Sequence, residues 1–240
     1  MDASHQPYSL FDGGLPLLQP DVGPKTSLDV PLLVSFLEPR NEPLAELGTG
    51  NGAALLGAIY RGKAPAGWGI ELQSELAELA RRNATFNNFY ATIVIGDLRS
   101  KATLGEPGRF RRVIANPPFR TVSDGRLSPH ADRRAARSET TATLGDFLTA
   151  AAYLLDNGGR LTLIFTARRL AELISELRTQ RLEPKRLRLI HPGVGKAAKL
   201  VLLEAIKNGG VELTILPPLY THDEQGEYSP ELTEILNPTR

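Results

Sequence analysis

Apolar positions along the chain fall into short runs that switch between a strand-like and a helical period. Between residues 27 and 37, Leu28, Leu32, Leu33, Phe36 and Leu37 recur at helical spacing and predict a short amphipathic helix. Runs at 44–47, 67–70, 92–95 and 112–115 read as strands. Segments 53–60 and 74–86 read as helices, with Ser74 as the expected cap of the second. Further along, 144–155 reads as a helix stopped by Asn157-Gly158-Gly159, then 160–165 as a strand and 170–179 as a helix. Runs 187–190, 200–205 and 211–216 are strand candidates, and Ser229-Pro230-Glu231 reads as a cap followed by proline at the first helical position. Residues 1–24, rich in Gly and Pro, are expected to be irregular. Residues 120–143 are polar and show no hydrophobic period; loops this long inside a compact domain usually carry function or are disordered.

Alternating strands and helices with apolar, β-branched strands imply a parallel sheet covered on both faces. Helices give out after about residue 180, which implies an antiparallel, hairpin-like finish. The expected fold is therefore α/β and Rossmann-like, a mostly parallel seven-stranded sheet with an antiparallel C-terminal strand. A single domain is expected over 1–240, with 1–37 as an N-terminal extension bearing the first helix and 38–240 as the core.

Composition narrows the class. The chain has 240 residues, 41% hydrophobic and 23% charged, enough to bury a core without staples. It has no cysteine, which excludes disulfides and thiolate metal sites, and four scattered histidines make a metal site unexpected. The N-terminus lacks a signal-peptide pattern, and no run approaches the ~20 apolar residues of a membrane span, so a cytoplasmic protein without membrane contact is expected. The net charge of +1 hides segregation. Residues 99–137 carry ten Lys/Arg against three Asp/Glu, and residues 166–203 carry nine against three. Two basic blocks, one holding Asn116-Pro117-Pro118-Phe119, point to an anionic partner.

Two motifs supply candidate chemistry. Glu46-Leu47-Gly48-Thr49-Gly50-Asn51-Gly52 joins a strand to a helix, where glycine permits a tight turn and close approach of a ligand to free backbone N–H groups. Glu71 ends the next strand, where an acidic residue can accept from ribose hydroxyls, and Asp97 follows the third. An acidic Glu46 would face a pyrophosphate unfavourably but suits a cationic ligand such as S-adenosyl-L-methionine. The second motif, Asn116-Pro117-Pro118-Phe119, follows Val113-Ile114-Ala115. The Asn116 side-chain carbonyl and the Pro117 backbone carbonyl can accept the two N–H bonds of an exocyclic amine, and Phe119 can stack on its ring. Such a site works by positioning and charge complementarity, so it requires no strong base. His130, among arginines, reads as an RNA contact or solvated residue, and His191 as structural.

Together, Glu46–Gly52, Glu71, Asp97 and Asn116–Phe119 resemble the class I S-adenosylmethionine-dependent amino-methyltransferases. Within them the chain is most similar to the bacterial tRNA1(Val) adenine-37 N6-methyltransferase family. That likeness takes in Gln19, Lys25-Thr26-Ser27-Leu28-Asp29, the segment from Arg133 to Glu139, Leu154-Leu155 with Gly158-Gly159-Arg160, Pro217-Pro218-Leu219-Tyr220 and Gly226-Glu227-Tyr228. The resemblance implies that Glu46, Gly48 and Gly50 bind the methionine end of the cofactor, Glu71 the ribose, and Asp97 with Leu98 the adenine. Asn116, Pro117 and Phe119 would be catalytic, with Asn116 also touching the cofactor. Arg120, Arg126, Arg133, Arg134 and Arg137 would meet RNA, most readily a tRNA anticodon loop. Phe119 stands where many relatives carry tyrosine and is shared with rRNA guanine-N2 enzymes. Guanine N2 and a protein glutamine amide therefore remain alternative targets. A third reading, an RNA-binding protein whose methyltransferase site has lapsed, is opposed by the intact Asn116–Phe119 motif.

Overall fold

The computed structural model describes residues 5–20, 27–119 and 142–237. The chain opens with an antiparallel hairpin, β1 (His5–Leu10) and β2 (Leu15–Pro20). This corrects the irregular segment expected there. Gly and Pro mark the turn and the strand ends, while Leu15 and Leu17 alternate inward and are buried. Then follow α1 (Asp29–Phe36), β3 (Leu44–Leu47), α2 (Ala53–Tyr60), β4 (Gly67–Glu71), α3 (Ser74–Phe86), β5 (Ala91–Ile95), the short α4 (Lys101–Leu104) and β6 (Phe110–Ala115). After these come α5 (Leu144–Leu154), β7 (Leu155–Thr166), α6 (Leu170–Thr179), β8 (Leu182–His191), β9 (Leu200–Lys207), the two-residue strands β10 (Thr214–Ile215) and β11 (Leu219–Tyr220), and α7 (Pro230–Leu236).

The main sheet runs in the order β10-β8-β9-β7-β6-β3-β4-β5, and β11 also pairs with β8. Seven long strands form the expected mostly parallel sheet, with β9 antiparallel to both β7 and β8. The sheet has nine strands rather than seven, because β10 and β11 add two short parallel pieces along β8. The strand candidate at 211–216 shrinks to Thr214–Ile215. Ser74 does not cap α3: Gln73 holds the cap position and no side chain bonds there. Ser229 does cap α7, its hydroxyl accepting from the Leu232 N–H at 3.1 Å, with Pro230 at the start of the helix.

The core lies in two layers. On one face of the sheet, Ile114, Ile164 and Leu202 pack with α1, α2, the alanines of α3 and the hairpin. On the other, Val113, Ala115, Leu163 and Phe165 pack with α5 and α6. Successive residues of β6 and β7 thus serve opposite layers, as a sheet covered on both faces requires. Among the described residues no helix is long and apolar enough to cross a membrane.

Candidate active site

The sheet register assembles the site. Strand order reverses at β3, which pairs with β4 on one side and β6 on the other. Ligands in open α/β sheets bind outside the strand C-termini at such a point. Leu47 pairs with Ala115, so the next residues along, Gly48 and Asn116, emerge side by side. Gly48, Gly50 and Gly52 have φ of 67°, 56° and 86°, a left-handed backbone that favours glycine. A Cβ at Gly48 would lie 3.2 Å from the Phe147 ring, whereas one at Gly50 would meet nothing within 4 Å. Space is therefore filled behind the first glycine and open in front of the second.

That open space is a cavity of about 160 Å³ lined by Glu46, Gly48, Thr49, Gly50, Asn51 and Asn116 from below, with Pro20, Ser27 and Val30 on its N-terminal side. Among these described lining residues Glu46 is the only ionisable one. Its Oε2 accepts from the Thr49 hydroxyl at 2.6 Å and from the Leu55 N–H at 3.1 Å, so the carboxyl also caps the first turn of α2. Burial pushes the Glu46 carboxyl up to about 8; these two hydrogen bonds oppose the shift and the nearby Glu71 charge adds to it. Glu71 is buried, and its two oxygens accept from the Gly50 and Gln73 N–H groups, each at 2.9 Å. Asp97 follows β5; its carboxylate is half-exposed and bonded by Arg99 Nη2 at 2.6 Å, an interaction that holds it below the usual carboxylate range. Leu98 beside it is buried.

Asn116 lines the cavity, Pro117 is buried, Pro118 exposed and Phe119 half-buried. The Phe119 ring stands edge-on to Phe165, centroids 5.8 Å apart, and its carbonyl accepts from Arg169 Nη1 at 3.3 Å. The Arg169 guanidinium lies over the Phe165 ring and pairs with Glu172. The acceptor loop is thus braced from β7 and the turn after it.

A glycine loop of this shape beside an Asn-Pro-Pro-Phe loop agrees with what comparison with known proteins gives. Residues 24–177 match the methyltransferase small domain. The chain belongs to that family. This methyltransferase is 32% identical over 203 residues to the tRNA1(Val) (adenine(37)-N6)-methyltransferase of Porphyromonas gingivalis, covering 80% of the chain and 77% of the relative. It is 26% identical over 107 residues to a putative protein N5-glutamine methyltransferase of Methanocaldococcus jannaschii, covering 45% of the chain and 52% of that protein. Among solved structures, a predicted O-methyltransferase from Agrobacterium tumefaciens superposes with a TM-score of 0.68 at 28% identity, covering 86% of this chain and 94% of that one. A geranyl diphosphate methyltransferase in complex with SAM shares the fold, with a TM-score of 0.53 at 15% identity, covering 73% and 83%.

The structure gathers Glu46, Gly48, Gly50 and Asn116 around one cavity and ties Glu71 to it through Gly50. Asp97 and Leu98 follow at the next strand end, where the Gly96 N–H donates to the Glu71 carbonyl at 2.9 Å. Arg120, Arg126, Arg133, Arg134 and Arg137, together with His130, lie outside the described residues. Residue-by-residue reading missed Asn83. This fully buried side chain donates to the Leu18 and Asn51 carbonyls and accepts from the Leu18 N–H. Its signal was a polar residue on the apolar face of α3 shared by Leu76, Ala80 and Ala84. Gln19, only 7% exposed, has no hydrogen-bond partner for its Oε1 among the described residues, one residue before the cavity-lining Pro20. Among the described residues there is no metal-binding cluster of His, Asp or Glu.

Proposed function

We propose that this methyltransferase uses S-adenosyl-L-methionine to methylate the exocyclic N6 of an adenine in RNA, and that its target is adenine 37 in a tRNA anticodon loop. The observation that carries the reading is the adjacency of Gly48 and Asn116, each one residue past the paired ends of β3 and β6, which supports a cofactor cavity beside an amine-accepting loop. The cavity suits the cofactor's sulfonium and ammonium: among the described residues its one ionisable lining group is an acid, which a bound cation would ionise, and the space before Gly50 is open. When bound, the cofactor supplies an electrophilic methyl group.

In this reading Glu46, Gly48 and Gly50 hold the methionine end. Glu71 accepts from the ribose hydroxyls, and Asp97 with Leu98 takes the adenine ring. In the same reading the 1–37 extension and the 38–240 core act as one domain, which is supported by Pro20, Ser27 and Val30 lining the same cavity as the glycine loop. Asn116 and the Pro117 carbonyl accept the two N–H bonds of the target amine and point its lone pair at the methyl group. Proline cannot donate there, so no backbone N–H competes with the amine. Phe119 stacks on the base, and Arg120, Arg126, Arg133, Arg134 and Arg137, next in the chain, meet the RNA phosphates.

A second reading, transfer to a protein glutamine amide, is favoured by the likeness to the putative glutamine methyltransferase. Guanine N2 is a third target of the same chemistry. The deciding experiment is incubation with labelled cofactor and a mixture of tRNA, rRNA and protein, followed by mass spectrometry of the products. N6-methyladenosine in tRNA is the expected product. N2-methylguanosine, methylglutamine or no transfer at all would replace the reading.

A further inference from the structure

The C-terminal ends of β7 and β8 and the start of the antiparallel β9 form a cationic rim next to the acceptor loop. Arg168 sits in the short turn after β7, and Lys196 and Lys199 sit in the turn between β8 and β9; all three are exposed. The two turns are bonded to each other, since the Ala167 N–H donates to the Lys199 carbonyl at 2.9 Å. The second turn is pinned in its own right. The Lys199 N–H donates to the Ile190 carbonyl at 2.9 Å, and the Lys196 carbonyl accepts from His191 Nδ1 at 2.7 Å. On the other side, Arg169 reaches from the first turn to the Phe119 carbonyl. The rim and the acceptor loop are therefore parts of one hydrogen-bonded edge.

Its charges differ from those around it. Arg169, Arg178, Arg186 and Arg188 pair with Glu172, Glu183, Glu38 and Glu231. Among the described residues, Arg168, Lys196 and Lys199 have no acidic partner. The far end of the rim abuts the next loop, where a Cβ on Gly193 would be 3.5 Å from the His222 carbonyl. Just beyond lie the exposed Asp223, Glu224 and Glu227. An anionic chain is repelled there and attracted towards Phe119, so the rim has a direction.

We propose that Arg168, Lys196 and Lys199 form a phosphate track that leads the RNA backbone flanking the target nucleotide to the Asn116–Phe119 loop. The proposal rests on the RNA reading above. An enzyme acting on a base must take it out of its stack, which requires a grip on the backbone beside it. Unpaired point charges on fixed turns supply such a grip without reading sequence.

The test is the combined variant Arg168→Ala, Lys196→Ala, Lys199→Ala, assayed for tRNA binding over a range of salt, cofactor binding, thermal melting and turnover. RNA affinity should fall roughly tenfold near 0.1 M salt, and the log–log salt slope should flatten by about 0.7 per lost contact. Cofactor affinity and melting temperature should match wild type, as should turnover at saturating RNA. The charge-preserving variant Arg168→Lys, Lys196→Arg, Lys199→Arg should keep the wild-type slope. A wild type that methylates tRNA alongside a triple-alanine variant with unchanged affinity and slope overturns the track alone. Loss of transfer to a protein rather than to RNA would reassign the rim to a polypeptide and overturn it too. A wild type that neither binds nor methylates RNA overturns the functional reading on which it rests.

Discussion

Asn83 and Leu18, 65 residues apart in the chain, hold each other by two hydrogen bonds: the Leu18 N–H donates to Asn83 Oδ1 at 2.7 Å, and Asn83 Nδ2 donates back to the Leu18 carbonyl at 3.0 Å. The same amide reaches the Asn51 carbonyl at 2.9 Å, and Asn51 Nδ2 returns to the Leu18 carbonyl at 3.0 Å. One buried side chain on α3 therefore imitates a strand partner for β2 and fastens it to the glycine loop. That junction brings Pro20 over the cavity.

Replacing Asn83 with Ala leaves the part-buried Leu18 N–H without its partner and opens a small void. The expected cost is about 2–4 kcal/mol of stability. Asn51 loses one of its two ties to this junction as well, so cofactor affinity should fall along with the melting temperature. Denaturant unfolding and calorimetry on the same variant measure both. A variant that melts lower but binds cofactor like wild type would show that the clamp does not shape the cavity.

Glu46 makes stability depend on pH in an unusual sense. Its carboxyl titrates near 8 in the fold, against an ordinary value of 4.5, chiefly because it is buried. Between those values the folded state holds a proton that the unfolded chain has lost. Stability from this group is therefore fully present below 4.5, declines as pH rises towards 8, and is flat above. Glu46→Gln should abolish that decline and melt higher than wild type at the alkaline end. A cation bound beside Glu46 favours its ionised form, so cofactor binding near neutral pH should release a proton. Calorimetry in buffers of different ionisation enthalpy reads that release directly. Enthalpies independent of buffer would remove Glu46 from contact with the cofactor's cationic end.

Glu71 offers a second handle on the same site. It caps the Gly50 and Gln73 N–H groups, which ties the third glycine-loop residue to the end of β4. Glu71→Ala should weaken cofactor binding by roughly 1.5–3 kcal/mol, the range of one charge-assisted hydrogen bond. Unchanged affinity by calorimetry would take Glu71 out of the site.

Elements whose period and punctuation agree were legible in the sequence. The limits of α2, α3 and β3 match the apolar pattern, and Gly50 and Glu71, 21 residues apart, do meet. The β1–β2 hairpin was not legible, because it is short and Pro-bearing and gains its order from Asn83, a partner far along the chain. β11 escaped, and β10 kept only two residues of the 211–216 run, for a related reason: two-residue strands exist only because β8 offers an edge. The spacing of Glu46 and Thr49 gives no hint that they share a buried hydrogen bond, so the raised Glu46 titration was out of reach as well.

The sharpest test of the chemistry separates Asn116 from Phe119. Asn116 lines the cavity from the strand next to Gly48, but its proposed role is towards the amine. Asn116→Ala should nearly abolish methyl transfer while cofactor affinity stays close to wild type. Phe119 is different in kind, since its ring packs edge-on against Phe165 and its backbone is held by Arg169. Phe119→Ala should weaken productive RNA binding by ~1–3 kcal/mol, the worth of one base stack, and raise KM more than it lowers kcat. Phe119→Tyr keeps the stacking ring and should retain most activity. Single-turnover assays with saturating cofactor distinguish the two roles. Wild-type rates in Asn116→Ala would rule out amine positioning by this side chain, whatever the RNA proves to be.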